Sequence, residues 1–172
     1  MQQATMDING IAHIQITVSR FELCVSFYEK LFELFGMKTV YRNDTIFYGV
    51  GARTGLAVTR CREEYRGERF VQGRIGLHHI CFRARRRDDI DAMYAFLQQI
   101  NAKIVHPPED GPWAPGYYSV LFEDPDGIRL EVNYVPGKGN LDPSIDFAEG
   151  SALTTLGAGV TGRTFVWEIN ET

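Results

Sequence analysis

The chain carries an internal repeat, and this feature limits its possible folds more than any other. The segments IAHIQITV (11–18) and LHHICFRA (77–84) each place a histidine at the start of an alternating, strand-like stretch. Each is followed by a stretch with helical spacing of apolar residues, which ends at Gly36 or at Asn101. Two related units that each leave one sheet face uncovered are expected to pair.

Both copies continue with short strands after the helix. The first continues with TIFYGVG and GLAVTRC, and the second with YYSVLFED and IRLEVNYV, joined by the turn sequence EDPDG. The sequence therefore predicts an α+β fold in which two paired βαβββ modules form a cup-shaped mixed sheet around a central cavity. The second copy also contains HPPEDGPWAPG (106–116), which predicts a long loop of the kind that binds or covers a ligand.

The same pattern predicts the domain boundaries and the helix faces. The predicted segments are an N-terminal tail (1–8), a first module (9–60), a linker (61–75), a second module (76–136) and a C-terminal extension (137–172), in which 163–170 alternates like an edge strand or a partner contact. The predicted apolar helix positions are Leu23, Phe27, Leu31 and Leu34 in the first copy, and Ile90, Met93, Tyr94, Leu97 and Ile100 in the second, with Asp88 or Asp89 as its N-cap.

Charge and composition exclude several classes of partner. The net charge is −4, without the basic excess of nucleic-acid binders. No apolar run approaches the ~18 residues of a membrane span, and the N-terminus has no signal-peptide pattern. The three cysteines form no CxxC pair and fit a reducing compartment. We expect a soluble, cytoplasmic protein that binds a small molecule, with no nucleic-acid or membrane partner.

Strand alternation identifies a candidate metal site. His13 and His79 take equivalent inward positions, whereas His78 points the other way or lies at the strand start. In the last strand, Leu130 and Val132 share one face, so Glu131 faces inward. A buried carboxylate needs a cation or a hydrogen-bond network. A single strand histidine is usually structural, but two with an inward carboxylate favour a divalent metal site with open positions.

Further residues, all but one of them in the second copy, are candidates for the chemistry around that site. Either Tyr117 or Tyr118 should face the cavity, as part of an aromatic wall or as a functional phenol. His106, which precedes two prolines, is either a surface residue or an acid or base in a lid over the site. Inward arginines could pair with a substrate carboxylate or form salt bridges, and the loop tryptophan could cover a planar substrate or pack on the rim. The predicted catalytic residues are Tyr117, Tyr118 and His106, and the predicted substrate-binding residues are Arg83, Trp113, Arg129, Asn133 and Gln15.

These motifs resemble the vicinal oxygen chelate superfamily, which includes glyoxalase I, extradiol dioxygenases and bleomycin-resistance proteins. The resemblance covers 9–136 and rests on AHIQITV, FYEKLF, HHICFRA and FEDPDGIRLEVN. It implies metal ligands at His13, His79 and Glu131, with Ala57 at a fourth position that cannot coordinate. Glyoxalase I and the family's epimerase use a protein ligand there, which speaks against both activities. It further implies one divalent ion, Fe(II), Mn(II), Zn(II) or Ni(II), and a homodimer.

Three ligands match the pattern of extradiol dioxygenases and of fosfomycin-resistance transferases. We expect a metal-dependent enzyme that acts on a small oxygen-rich substrate, with extradiol-dioxygenase-like chemistry slightly favoured. The alternatives are a metal-dependent lyase or thiol transferase, and a metal-free drug-binding protein. In the dioxygenase alternative, the family resemblance implies that a tyrosine phenol at position 117 or 118 assists the chemistry at the metal.

Overall fold

The computed structural model describes residue 8 and residues 10–138, and it divides between Phe70 and Val71 into two compact units. Each unit has the order strand, helix and three strands, which confirms the repeat and the α+β class. The elements of the first unit are β1 (His13–Val18), α1 (Phe21–Phe35), β2 (Lys38–Arg42), β3 (Ile46–Gly51) and β4 (Thr54–Arg60), followed by a 3₁₀ turn at Glu63–Tyr65. Those of the second are β5 (Ile80–Arg83), α2 (Asp88–Gln99), β6 (Lys103–Asp110), β7 (Tyr118–Glu123) and β8 (Arg129–Tyr134).

The two sheets have the same topology. Their strand orders are β1-β4-β3-β2 and β5-β8-β7-β6, and in each the first strand runs parallel to the last while the other pairs are antiparallel. Gln15 pairs with Ala57 in the first sheet, and Cys81 pairs with Glu131 in the second. Ala57 and Glu131 therefore occupy equivalent positions, as the repeat predicts. The enclosure of a cavity by the two modules stays a prediction.

Helix α1 ends where the sequence predicts, but its buried face differs from the prediction. Gly36 adopts a left-handed φ of 64° and its N–H bonds back to the last turn. The buried stripe is centred on Tyr28, which is fully buried. Leu23 and Leu34 were predicted to be buried, yet they are 58% and 46% exposed. At about 100° per residue, both lie well over 100° around the helix from Tyr28.

Helix α2 has the predicted end but not the predicted cap. It is followed by Asn101 in the left-handed region, with φ 53°. Its N-cap is Arg87, which makes no side-chain capping bond, so the predicted cap at Asp88 or Asp89 is wrong. The Asp89 carboxylate instead reaches back from the first turn and accepts the Arg86 backbone N–H at 3.0 Å.

Residues 106–110 of the segment 106–116 belong to a strand, which shortens the predicted loop. β6 continues through the two prolines to Asp110, and only 111–117 connects it to β7. Prolines are tolerated here because β6 is the edge strand and its pairing with β7 shifts register between His106 and Glu109. The predicted strand at 163–170 lies outside the described residues. Over the described ranges, neither helix is long and apolar enough to span a membrane.

Gly49, in the core of the first unit, is a position where only glycine fits. The rings of Phe32 and Phe47 stack with centroids 5.1 Å apart, and both side chains are buried. Gly49 on β3 lies directly beneath the Phe32 ring, which occupies the space that a Cβ at this position would take. The absence of a side chain at Gly49 therefore allows α1 to pack closely on the sheet.

Replacing Gly49 by alanine is expected to lower the free energy of unfolding by about 1–3 kcal/mol, since the new methyl group overpacks a core whose rings have no free space. Chemical denaturation measures this change. Gly67→Ala is the matched control, because nothing lies within 4 Å of its added Cβ. Equal stability of the two variants would contradict the packing described here.

Candidate functional site

A histidine and a carboxylate meet on the face of the second sheet that is turned away from α2. Glu131, on β8, is only 8% exposed, and His79 immediately precedes β5, the strand paired with β8. The Nε2 atom of His79 lies 3.2 Å from Oε2 of Glu131. Two predicted ligands are thus brought together within one unit.

Two hydroxyl groups support the Glu131 carboxylate. The Tyr117 phenol donates a hydrogen bond to Oε1 at 2.5 Å, and the buried Ser119 hydroxyl also bonds to the carboxylate. Burial raises the pKa of Glu131, but the hydrogen bonds from His79, Tyr117 and Ser119 outweigh this effect and hold the pKa below its usual value. Glu131 is therefore ionised at neutral pH despite its burial.

The turn between β6 and β7 holds Tyr117 in place. The Gly111 N–H donates to the Tyr117 carbonyl, and the Tyr117 N–H donates to the Ala114 carbonyl, both at 3.0 Å. A Cβ at Gly111 would approach Cδ1 of Tyr117 to 2.8 Å, so glycine is needed for the ring position. Burial, followed by the bond to Glu131, raises the pKa of the phenol. Tyr117 thus remains a protonated donor.

Two residues on the other side of His79 extend the contact chain. Nδ1 of His79 lies 2.6 Å from Nδ1 of His78, and the Gln72 side-chain nitrogen lies 2.6 Å from Nε2 of His78. Burial, followed by the electrostatic influence of His79 and Arg129, lowers the pKa of His78. The His78 ring is therefore neutral at physiological pH and holds one proton, on one of its two nitrogens.

Cys81 lies beside Glu131 but is a poor nucleophile. Its side chain keeps contact with solvent, yet crowding by protein atoms, followed by the Glu131 charge, raises the pKa of the thiol. Because the thiolate is the reactive form, Cys81 stays unreactive at neutral pH.

The spacing of His79 and Glu131 is compatible with two ligands of one divalent metal ion. Metal–ligand bonds to imidazole nitrogen and carboxylate oxygen are about 2.0–2.2 Å long, so two such ligands lie about 3.0–3.5 Å apart. The 3.2 Å separation between His79 Nε2 and Glu131 Oε2 is of this size. The remaining Nδ1 and Oε1 atoms are held by His78 and Tyr117, the kind of outer support that metal ligands require.

In the first unit, His13 lies on the face of the sheet opposite α1. Its exposed ring meets the Tyr48 ring edge-on, with centroids 6.5 Å apart. Tyr48 lies over Gly55, the partner of His13 on β4, and its ring fills the space of a Cβ at that position. Gln15 donates to the Thr59 hydroxyl at 2.8 Å. Within either unit, the described residues contain no group of three His, Cys, Asp or Glu side chains arranged to hold a metal.

The structure separates Tyr118 and His106 from the His79–Glu131 pair. Tyr118 lies on the opposite face, where its hydroxyl donates to Asp91 of α2 at 2.7 Å. His106 shares the face of Glu131 but is two strands away, at about 10 Å, with Leu121 between them in register. Its Nδ1 lies 2.9 Å from the Pro107 carbonyl oxygen. Of the three predicted catalytic residues, the structure brings only Tyr117 to Glu131.

The predicted substrate-binding residues of the second unit differ in their burial and in their partners. Asn133 and the exposed Arg83 are register partners beside Glu131, and the Asn133 side-chain oxygen is buried with no hydrogen-bond partner among the described residues. The Nε of Arg129 lies 3.8 Å from Glu123, so its charge is already partly balanced. Trp113 is half-buried in the 111–117 turn, next to Gly111.

Sequence reasoning missed three neighbours of the predicted ligands. Ser119 and Tyr48 alternate with buried residues on β7 and β3, so strand parity could have identified them. Gln72 precedes β5 in an irregular segment, and no periodicity points to it.

Comparisons with known proteins agree with this fold. The family model of the Glyoxalase/Bleomycin resistance protein/Dioxygenase superfamily matches residues 10–132. YqjT of Bacillus subtilis (strain 168), an uncharacterized protein, is 26% identical over 124 residues, 70% of this chain and 94% of YqjT. A solved structure from Bacillus halodurans is 23% identical, with a TM-score of 0.66 over 74% of this chain and 96% of that one.

Lactoylglutathione lyase from Agrobacterium tumefaciens is 19% identical, with a TM-score of 0.57 over 75% of this chain and 96% of that one. At such identities, the solved structures show a shared fold alone. The family match covers most of the chain, and the repeated βαβββ units agree with it. The chain therefore belongs to the Glyoxalase/Bleomycin resistance protein/Dioxygenase superfamily.

Proposed function

We propose that this protein is a metal-dependent enzyme that acts on a small oxygen-rich molecule, and that His13, His79 and Glu131 hold its divalent ion. The observation that carries this proposal is the convergence of His79 Nε2 and Glu131 Oε2, 3.2 Å apart, on one face of the sheet. His13 is included because it takes the position in the first copy of the repeat that His79 takes in the second.

A bound divalent ion supplies Lewis acidity toward two neighbouring substrate oxygens. The protein contributes an ionised carboxylate at Glu131, which Tyr117 and Ser119 keep charged and correctly oriented. The Asn133 side-chain oxygen, which has no hydrogen-bond partner within the described part of the chain, is an acceptor for a substrate hydroxyl, and the exposed Arg83 guanidinium suits a substrate carboxylate.

Extradiol-dioxygenase-like chemistry is the reaction type we favour. Ala57 occupies the position in the first sheet that corresponds to Glu131, and its methyl group cannot coordinate a metal. A site with two imidazoles and one carboxylate leaves positions open for substrate and dioxygen, a pattern typical of Fe(II) oxygenases. The lyase and thiol-transferase alternatives share the ligands and differ in the substrate.

One observation favours a second candidate, a metal-free binding protein. The Glu131 carboxylate already has three hydrogen-bonding partners, namely His79, Tyr117 and Ser119. A carboxylate that is satisfied in this way is stable without a cation. In this alternative, the network is a rigid floor for an organic ligand.

Metal analysis of the purified protein distinguishes the two candidates. We expect close to one equivalent of a transition metal after purification, and calorimetric binding of Fe(II), Mn(II), Zn(II) or Ni(II) after chelator treatment. Catechols, hemithioacetals with glutathione, and fosfomycin with a thiol then test the dioxygenase, lyase and transferase reactions. A protein that binds none of the four ions is the metal-free binding protein, and the enzyme proposal is then wrong.

A further inference from the structure

Four side chains of the second unit are in contact one after another, in the order Gln72, His78, His79 and Glu131. The Gln72 side-chain nitrogen lies 2.6 Å from His78 Nε2, His78 Nδ1 lies 2.6 Å from His79 Nδ1, and His79 Nε2 lies 3.2 Å from Glu131 Oε2. Gln72 and His78 belong to the irregular segment before β5 and have no part in the ligand set proposed above. Nevertheless, His78, which Gln72 contacts, lies against Nδ1, the ring nitrogen of His79 that does not face Glu131.

The contact between the two Nδ1 atoms restricts where the protons lie. A neutral imidazole carries one N–H donor and one lone pair, so a 2.6 Å contact between two ring nitrogens needs a proton on one of them. If Gln72 donates its N–H to His78, then His78 holds its proton on Nδ1 and donates it to His79. His79 then holds its own proton on Nε2 and donates it to Glu131.

The opposite arrangement, with the Gln72 amide rotated, keeps the contacts of His78 with Gln72 and with His79, but it leaves no proton between His79 Nε2 and Glu131. The Gln72 carbonyl oxygen then accepts a hydrogen bond from His78 Nε2–H, and His79 donates Nδ1–H to the lone pair of His78. In this arrangement, the Nε2 lone pair of His79 faces Glu131 and is free to bind a cation. A glutamine suits this position because its amide can either donate or accept.

We propose that Gln72 and His78 are positioning residues that set which ring nitrogen of His79 carries the proton, and so whether Nε2 can bind a metal ion. This inference rests on the proposed function for its consequence, but its physical content is a proton position in the protein itself. The tautomer of a metal-binding histidine is generally fixed by the partner of its second nitrogen.

The test compares His78→Leu and Gln72→Leu with the conservative His78→Asn, whose amide lies near the position of the original Nδ1. Protein labelled with ¹⁵N-histidine is examined by NMR at one mildly alkaline pH, and the shifts of the two His79 nitrogens report its tautomer. We expect one dominant tautomer in the wild type, its loss in both leucine variants and its retention in His78→Asn. Gln99→Leu, on the exposed surface of α2, is the control.

The second readout is the affinity for Zn²⁺ alone, measured by competition with a chelating dye. We expect a loss of about 10–100-fold in the leucine variants and a smaller loss in His78→Asn. If the His79 shifts are unchanged in both leucine variants, the inference is wrong, whatever the metal affinity. If the wild type binds no Zn²⁺ or other divalent ion, the proposed function is wrong, while the tautomer comparison still decides the inference.

Discussion

The His79→Ala variant is expected to lose more than about 100-fold in affinity for a divalent cation while the protein stays folded. Removal of the groups that support a metal ligand already costs 10–100-fold, so removal of a ligand costs at least the upper end of that range. The fold is expected to persist because His79 is one-third exposed and Tyr117 still donates to Glu131. Calorimetry measures the affinity, and circular dichroism checks the fold.

A variant of Glu131, the partner of His79, tests the same metal site. Glu131→Gln keeps the shape of the side chain but removes its charge, and we expect a comparable loss of affinity. Asp89→Asn is the matched control, since the Asp89 carboxylate likewise accepts from a side-chain nitrogen, that of Arg86, at a site remote from the proposed ligands. One equivalent of metal that remains tightly bound to either site variant would show that the ion is held by other residues.

The architecture of this chain could be predicted because its determinants are local and repeated. Strand alternation, helical periodicity and the glycine after α1 each act within a few residues, and the same set occurs twice. The equivalence of Ala57 and Glu131 also followed from the repeat, because a duplicated topology imposes a duplicated register.

The errors arise where tertiary context decides. Leu23 and Leu34 fit the helical period, but the sheet contacts the stripe centred on Tyr28, so those two leucines remain exposed. The prolines at 107–108 indicate a loop by composition, yet an edge strand with a shifted register accommodates them. In both cases, local sequence could not specify which surface is covered.

The candidate site, like the fold, could be predicted from the sequence only in part. Parity placed His79 and Glu131 on one face, but it could not choose between adjacent tyrosines, because the start of β7 decides which of them enters the alternation. The turn 111–117 places Tyr117 against Glu131, while Tyr118 begins the strand and points to α2. Gln72 reaches His78 through an irregular segment, for which no periodic rule exists.

Replacing Tyr117 by phenylalanine is expected to lower the free energy of unfolding by about 2 kcal/mol at neutral pH. The variant removes a buried hydrogen bond to a charged carboxylate, and such bonds contribute about 1.5–3 kcal/mol. The cost arises because Oε1 of Glu131 loses its donor while it stays buried. Urea denaturation at neutral pH measures the change.

The pH dependence of this difference identifies its cause. The hydrogen bonds hold the pKa of Glu131 below its unfolded value of about 4.3, so the stability they provide is complete above that pH and is lost as the pH falls through the folded pKa. Loss of the Tyr117 hydroxyl raises the folded pKa, so the gap between wild type and variant should be full at neutral pH and narrow below about pH 4.

Tyr118→Phe is the matched control, because its hydroxyl bonds to the exposed Asp91 and contributes little. Equal losses for the two tyrosines, or a gap for Tyr117→Phe that does not change with pH, would mean that the phenol stabilises the turn 111–117 rather than the Glu131 carboxylate.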